Sequence, residues 1–201
     1  MFVRMTLNEG VSDFEAATKH LENVVLPAVK ELKGFRGITA SADRKSGALG
    51  ILTLWETEAD MEASAAAASK VRQEAASAIG GKVVDVQSYE QVLQEMAGGP
   101  PAPGSPLLIT PTKMDPATVD ENIAFFKASV LPEIKATPGF RAVRNMINRK
   151  TGEGIVGIAL ADQASVAGAL SSAAARRERA TQRGVELGDI AQREIVYMAM
   201  S

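Results

Sequence analysis

The feature that most constrains this chain is that it contains one module twice. Val25-Leu26-Pro27 returns as Val130-Leu131-Pro132, Gly34-Phe35-Arg36 as Gly139-Phe140-Arg141, and Arg44-Lys45-Ser46-Gly47 as Arg149-Lys150-Thr151-Gly152. The offset is 105 in all three pairs (130 − 25, 139 − 34, 149 − 44). Near the end, Asp85-Val86 and Glu90 correspond to Asp189-Ile190 and Glu194 at an offset of 104 (189 − 85), so one residue was gained or lost before the last strand. A repeat of this length means one set of elements built twice. Between the copies, Ala97-Gly98-Gly99-Pro100-Pro101-Ala102-Pro103-Gly104-Ser105-Pro106 cannot form a helix or a central strand. The expected division is a first repeat over 1–95, a linker over 96–106 and a second repeat over 107–201.

Each copy reads β-α-β-β-α-β. In the first, residues 2–8 form a short strand, and Ser12-Asp13-Phe14-Glu15 has the pattern of a capping box. The helix that follows carries Phe14, Ala17, Leu21, Val24, Ala28 and Leu32 at helical spacing. Pro27 falls inside that pattern and Pro132 repeats it, so a kink or a restart is expected in both copies. In the second copy Asp115-Pro116 supplies an N-cap with proline at the first helical position. Two strands follow, Phe35 to Asp43 and Leu49 to Trp55, joined at Lys45-Ser46-Gly47. Ile51, Thr53 and Trp55 alternate with Leu52 and Leu54, which makes both faces of the strand apolar and predicts a sheet covered on both sides. The second helix starts near Thr57, capped with the help of Asp60. Its stripe is Met61, Ala65, Ala68, Val71, Ala75 and Ile79. The last strands run from Lys82 to Leu93 and from Val185 to Met200.

Composition narrows the function classes. The 201 residues are 46% apolar and 23% charged, the balance of a globular protein. A net charge of −2 gives no reason to expect a phosphate backbone as partner. No cysteine is present, which removes disulfides and thiolate chemistry, and one histidine cannot assemble a His/Cys metal cluster. No bound metal is expected. The N-terminus lacks the apolar core of a signal peptide, and no apolar run approaches the ~20 residues of a membrane span. The expected location is therefore the cytoplasm. No glycine-rich phosphate loop follows a strand, so a nucleotide cofactor has no local support.

Gly34-Phe35-Arg36-Gly37, Arg44-Lys45-Ser46-Gly47 and Ile51-Leu52-Thr53-Leu54-Trp55-Glu56-Thr57-Glu58-Ala59-Asp60 together resemble the dimeric α+β barrel superfamily, and within it the antibiotic-biosynthesis-monooxygenase (ABM) modules. The resemblance covers each half apart from the linker. It implies two tandem ferredoxin-like repeats whose antiparallel sheets pack as an intrachain α+β barrel, with a ligand pocket between sheet and helices. It also implies a cofactor-independent monooxygenase acting on a small planar hydrophobic or aromatic molecule. The alternative is a non-catalytic small-molecule-binding or structural member of the same fold. A homodimer of the fused pair stays open, and no nucleic acid or membrane partner is implied. Haem-using members place an axial histidine on the second helix. Neither copy has one, from Glu58 to Ile79 or from Gln163 to Arg183, so haem is not expected and no cofactor is assigned.

Four side chains are candidates for chemistry. His20, the only histidine, is either a packed histidine or a general base, and Phe125 stands at its place in the second copy. Trp55, the only tryptophan, is either a core anchor or a stacking wall for a planar ligand, with Leu160 as its counterpart. Arg176 replaces Val71 on the apolar stripe, where a guanidinium must reach solvent, pair with an acid or face an anionic ligand. Tyr89, like Tyr197 on the other last strand, could donate to a ligand carbonyl. Because the copies differ at these positions, any site is expected to be unequal between the halves.

Overall fold

The computed structural model describes residues 1–200, with Ala68 described by its backbone alone. The first repeat runs β1 (Phe2–Glu9), α1 (Phe14–His20), α2 (Leu26–Lys30), β2 (Phe35–Asp43), β3 (Ala48–Trp55), α3 (Glu58–Ala63), α4 (Ala65–Ala78) and β4 (Lys82–Met96). The second runs β5 (Pro106–Lys113), α5 (Val119–Phe125), α6 (Leu131–Lys135), β6 (Phe140–Ile147), β7 (Glu153–Leu160), α7 (Ala164–Gln182), β8 (Glu186–Leu187) and β9 (Ala191–Met200). The β-α-β-β-α-β order expected of each copy is present. No helix among the described residues is long and apolar enough to cross a membrane.

The chain divides into two compact units, and these exchange their final strands. One comprises residues 1–90 and 193–201, the other residues 91–192. In the first unit the strand order is β4-β1-β3-β2-β9, with β9 antiparallel to β2 through Ala40↔Tyr197 and its neighbours. In the second it is β4-β6-β7-β5-β8, where the end of β4 lies beside β6 and Ala97 N–H donates to the Arg141 carbonyl at 2.8 Å. Each copy therefore supplies the edge strand of the unit otherwise built from the other. Leu54 and Trp55 are successive residues of β3 on opposite faces and both are fully buried, so this sheet is covered on both sides, as its apolar alternation requires.

Three local expectations are revised. The first helix is capped by Asp13, whose carboxylate accepts from Ala16 N–H at 2.9 Å, and not by a Ser12 capping box. Aspartate in this position reaches the third helical amide with a charge-assisted bond. The buried stripe begins as expected with Phe14, Ala17 and Leu21 but continues with Val25 and Val29, while Val24 is half exposed. A π turn over Leu21–Val25 causes the shift: Leu26 N–H bonds to the Leu21 carbonyl five residues back, inserting one residue into the helical phase. It ends where Pro27 lacks an N–H, and α2 restarts with that proline in its first turn. The same π turn recurs over Phe126–Val130 ahead of Pro132. Third, the second copy's last strand is interrupted between β8 and β9. Its partner β5 carries Pro111, which cannot donate to the ladder, and Gly188 N–H bonds to the Pro111 carbonyl instead.

The Gly-Phe strand entry has a steric cause. Gly34 and Gly139 have φ of +76° and +75°, and a Cβ on Gly34 would collide with the Asp60 side chain, one on Gly139 with Ser165. Both glycines let the chain turn against the start of the following helix, and their carbonyls accept from Glu56 and Ala161.

Candidate functional site

Each unit has a cavity in the same place, between the inner face of its sheet and its helices. The first is small, about 40 Å³, and the second about 110 Å³. They are lined by matched positions: Thr6 and Thr110, Val25 and Val130, Ile51 and Val156, Ala75 and Ala180. The difference in size follows the packing. In the first unit one continuous core cluster runs from Val11 to Ile79 and includes Trp55. In the second unit separate clusters form around Ile147, Leu160 and Val143, and the cavity draws lining residues from each.

His20 and Trp55 come together on the first cavity, with Arg72 beside them. Trp55 is fully buried, its indole N–H donates to Thr53 Oγ1 at 3.1 Å, and its ring meets Phe35 edge-on at 5.7 Å. These contacts are those of a core anchor that also walls the cavity. Arg176 lines the second cavity. Tyr89 lines neither: it is paired with Val3, which places it on the face of the sheet opposite Trp55, and its hydroxyl bonds to the Gln87 side chain. Tyr197 belongs to the first unit, where it packs against the core from β9, and burial raises its phenol pKa above the ordinary value. His20 and Trp55 thus line the first cavity, Arg176 the second and Tyr89 neither.

The second cavity holds polar groups that single-residue reasoning did not pick out. Asn122, Asn145 and Arg177 line it together with Arg176. A signal for the two asparagines does exist in the sequence. At the offset of 105 they replace Ala17 and Ala40 (122 − 105, 145 − 105), both of which are buried core residues of the first unit. Arg177 corresponds to Arg72, so an arginine at this point of the helix is common to both cavities.

The electrostatics of the second cavity are one-sided. Arg176 is 7% exposed, its Nη1 donates to Ser172 Oγ at 3.1 Å, and it makes no ion pair among the described residues. Burial pushes its pKa below the usual arginine value; Glu133 opposes that shift and Arg179 adds to it. Glu133 is already paired with Arg179 at 2.6 Å. Arg177 donates through Nη2 to the Gly188 carbonyl at 3.0 Å, taking up an acceptor freed by the strand interruption, while its buried Nη1 has no partner. Asn122 donates through Nδ2 to the Thr118 carbonyl and hydroxyl, and its buried Oδ1 has no partner. Arg183 covers the Phe125 ring at 4.6 Å. No Asp, Glu, Lys, His or Tyr lines this cavity among the described residues. Apart from Thr110 and Thr112, its other walls are apolar. Such an arrangement suits an apolar molecule ending in an oxygen that is, or becomes, negatively charged. Among the described residues no cluster of three or more His, Cys, Asp or Glu could hold a metal.

No family model matches the chain. It is 28% identical over 156 residues to an uncharacterised protein of Mycobacterium tuberculosis, spanning 77% of this chain and 69% of that one. Among solved structures, a candidate monooxygenase of Fusobacterium nucleatum matches with a TM-score of 0.69 at 10% identity, over 100% of this chain and 94% of the other. An anthrone oxidase-like protein matches with a TM-score of 0.66 at 12% identity, over 99% and 93%. A Listeria monocytogenes ferredoxin-fold protein related to antibiotic biosynthesis monooxygenases matches with a TM-score of 0.51 at 8% identity, over 98% and 95%. At these identities the likeness establishes the fold alone, a mixed α+β, ferredoxin-like fold matched over 98–100% of the chain.

Proposed function

We propose that this chain, which has the dimeric α+β barrel fold, is an ABM-like monooxygenase that works without a cofactor on a small planar hydrophobic compound held in the cavity of residues 91–192. The observation that carries the proposal is the substitution of polar groups for buried or half-buried apolar ones. Where the first unit has Ala17, Ala40 and Val71, the second has Asn122, Asn145 and Arg176 around a larger space. Leaving Asn122 Oδ1 buried without a partner costs about 1–3 kcal/mol, an expense that packing alone gives no reason to retain.

The chemistry follows from what lines the cavity. With no carboxylate, imidazole or amine available, the substrate must ionise readily once the guanidinium groups face its oxygen, since a neighbouring positive charge lowers the pKa of an enol or phenol. The resulting oxyanion is electron-rich enough to reduce O2. Conversion of an activated methylene to a carbonyl then balances without an outside reductant. One oxygen atom enters the product and the other leaves as water with the two hydrogens. The neighbour named for anthrone oxidation makes anthrone a reasonable first substrate.

The test is oxygen uptake by the purified chain with anthrone under metal-free conditions, beside the Arg176→Met variant. One O2 consumed per product, with turnover reduced at least tenfold in the variant, is the expected result. Saturable binding without oxygen uptake would replace this proposal by a non-catalytic small-molecule-binding function. The lack of a base in the second cavity favours that second reading. His20, the one imidazole, lines the other cavity.

A further inference from the structure

The first cavity stands outside the proposed reaction, and three of its polar groups have no partner in the protein. Thr6 is 4% exposed and its hydroxyl makes no hydrogen bond among the described residues, yet Oγ1 is not sealed off and keeps open surface on the cavity it lines. Arg72, half-buried on α4, makes neither a hydrogen bond nor an ion pair among the described residues, and burial pushes its pKa below the ordinary arginine value. His20, half-buried at the end of α1, is equally free. Together they offer a hydroxyl, a guanidinium fork and a ring N–H as donors. No Asp or Glu lines the cavity among the described residues. A second positive charge lies near Arg72. Arg4, which donates through Nη1 to Ser64 Oγ at 2.9 Å, has its pKa lowered by burial and then by the charge of Arg72, with Glu62 opposing.

Size narrows the occupant. One water needs roughly 10–15 Å³ of such space, so a cavity of about 40 Å³ takes roughly three heavy atoms and excludes an aromatic ring. We infer that the first cavity binds a small aliphatic monocarboxylate, of formate or acetate size, with Arg72 as its counter-ion and Thr6 and His20 as further donors. Paired N–H groups of a guanidinium match the two oxygens of a carboxylate. The second unit cannot hold this ligand in the same way, because Arg177 is bonded to the Gly188 carbonyl and Phe125 stands in place of His20. The inference does not depend on what the second cavity binds or on any oxidation there.

The chain carries its own reporters, since Trp55 and His20 are the only tryptophan and the only histidine and both line this cavity. The test replaces sodium chloride by sodium acetate at fixed pH and ionic strength, following Trp55 fluorescence and the His20 ring protons by NMR in the intact chain. A saturable change in both signals with one midpoint is expected, and benzoate should produce none. Arg72→Met should weaken acetate binding at least tenfold. Thr6→Val, which keeps the side-chain shape, should weaken it about three- to tenfold, the range of one net hydrogen bond. Circular dichroism checks the fold of each variant, and Thr6→Val decides the matter if Arg72→Met does not fold. The inference is overturned if neither signal saturates with acetate, if benzoate moves them equally, or if the folded variants bind acetate as the wild type does. A response lost in Arg176→Met but kept in Arg72→Met would place the anion in the second cavity and overturn it as well.

Discussion

At the scale of single residues, the two copies solve one turn with different chemistry. Asp43 caps the β2–β3 connection, its Oδ1 accepting from Lys45 N–H at 2.9 Å and its Oδ2 from the Ser46 hydroxyl at 2.7 Å. In the second copy Asn148 Oδ1 accepts from Lys150 and Thr151 N–H. The Ser46 hydroxyl and then the Lys45 amide hold the Asp43 carboxyl below its ordinary pKa of 3.8. A carboxyl depressed in the folded state adds stability above its unfolded pKa and loses it as pH falls through the folded value. The first turn should therefore loosen below about pH 4 while the second does not. Amide exchange of Lys45 and Ser46, compared with Lys150 and Thr151 across that range, would check it, and parallel behaviour of the two turns would refute it.

Arg176 separates function from stability at the same scale. A buried guanidinium without a carboxylate partner is destabilising, and Met fills similar volume without charge. Arg176→Met should leave the stability unchanged or raise it by about 1 kcal/mol, while weakening the binding of anionic ligands at least tenfold. Denaturant unfolding and titration of one preparation decide between this and a structural role, for which stability would drop instead. Trp55→Leu has the opposite profile. It removes an indole that is fully buried and hydrogen-bonded. A loss of roughly 2–4 kcal/mol is expected, with no change in ligand binding at the second cavity.

At the scale of elements, the π turns explain why a regular helical wheel places the first helix correctly up to Leu21 and wrongly after it. The turn inserts one residue, so Val25 and Val29 face inward in place of Val24 and Ala28. Removal of the exposed Asn23 should convert the turn to an α turn and keep Val25 and Val29 in phase with Leu21. The midpoint of thermal unfolding should stay within a few degrees of the wild type. A collapse in stability would mean that the turn holds something other than helical phase. On α7, the register that puts Arg176 and Arg177 side by side sends one to Ser172 and the other to the carbonyls left by the β8–β9 interruption. The site thus depends on Pro111 of β5, separated in sequence from α7 by α5, α6, β6 and β7, through the acceptors that this proline fails to pair.

At the scale of the whole molecule, the exchange of last strands makes the copies mutually dependent. Residues 193–201 complete the first unit and residues 91–96 contribute to the second. Ile195 is buried on β9, and the strand covers the edge of β2. A fragment ending at residue 105 should lack that strand and present β2 as an open edge, which favours aggregation. Fragments 1–105 and 106–201 made together should associate into a folded complex. Size-exclusion chromatography and circular dichroism of each alone and of the mixture would show it, and a stable monomeric fragment 1–105 would contradict it.

The sequence alone determined the duplication, the order of elements, the turns at Pro27 and Pro132 and the burial of both faces of β3, because each of these depends on local residue chemistry or on a pattern repeated at a fixed offset. It also held, at that same offset, the asparagines that replace Ala17 and Ala40, a difference that becomes meaningful once those alanines are known to be buried. Only the tertiary structure decided which candidates share a cavity. Tyr89 and Trp55 are both strand residues near a core, yet the parity of the β1–β3 and β1–β4 registers puts them on opposite faces. The tertiary structure also decided that the last strands change units, and that Asn122 Oδ1 and Arg177 Nη1 go unpaired. Strand pairing and hydrogen-bond satisfaction are set by neighbours distant in sequence, so the linear order of residues does not carry them.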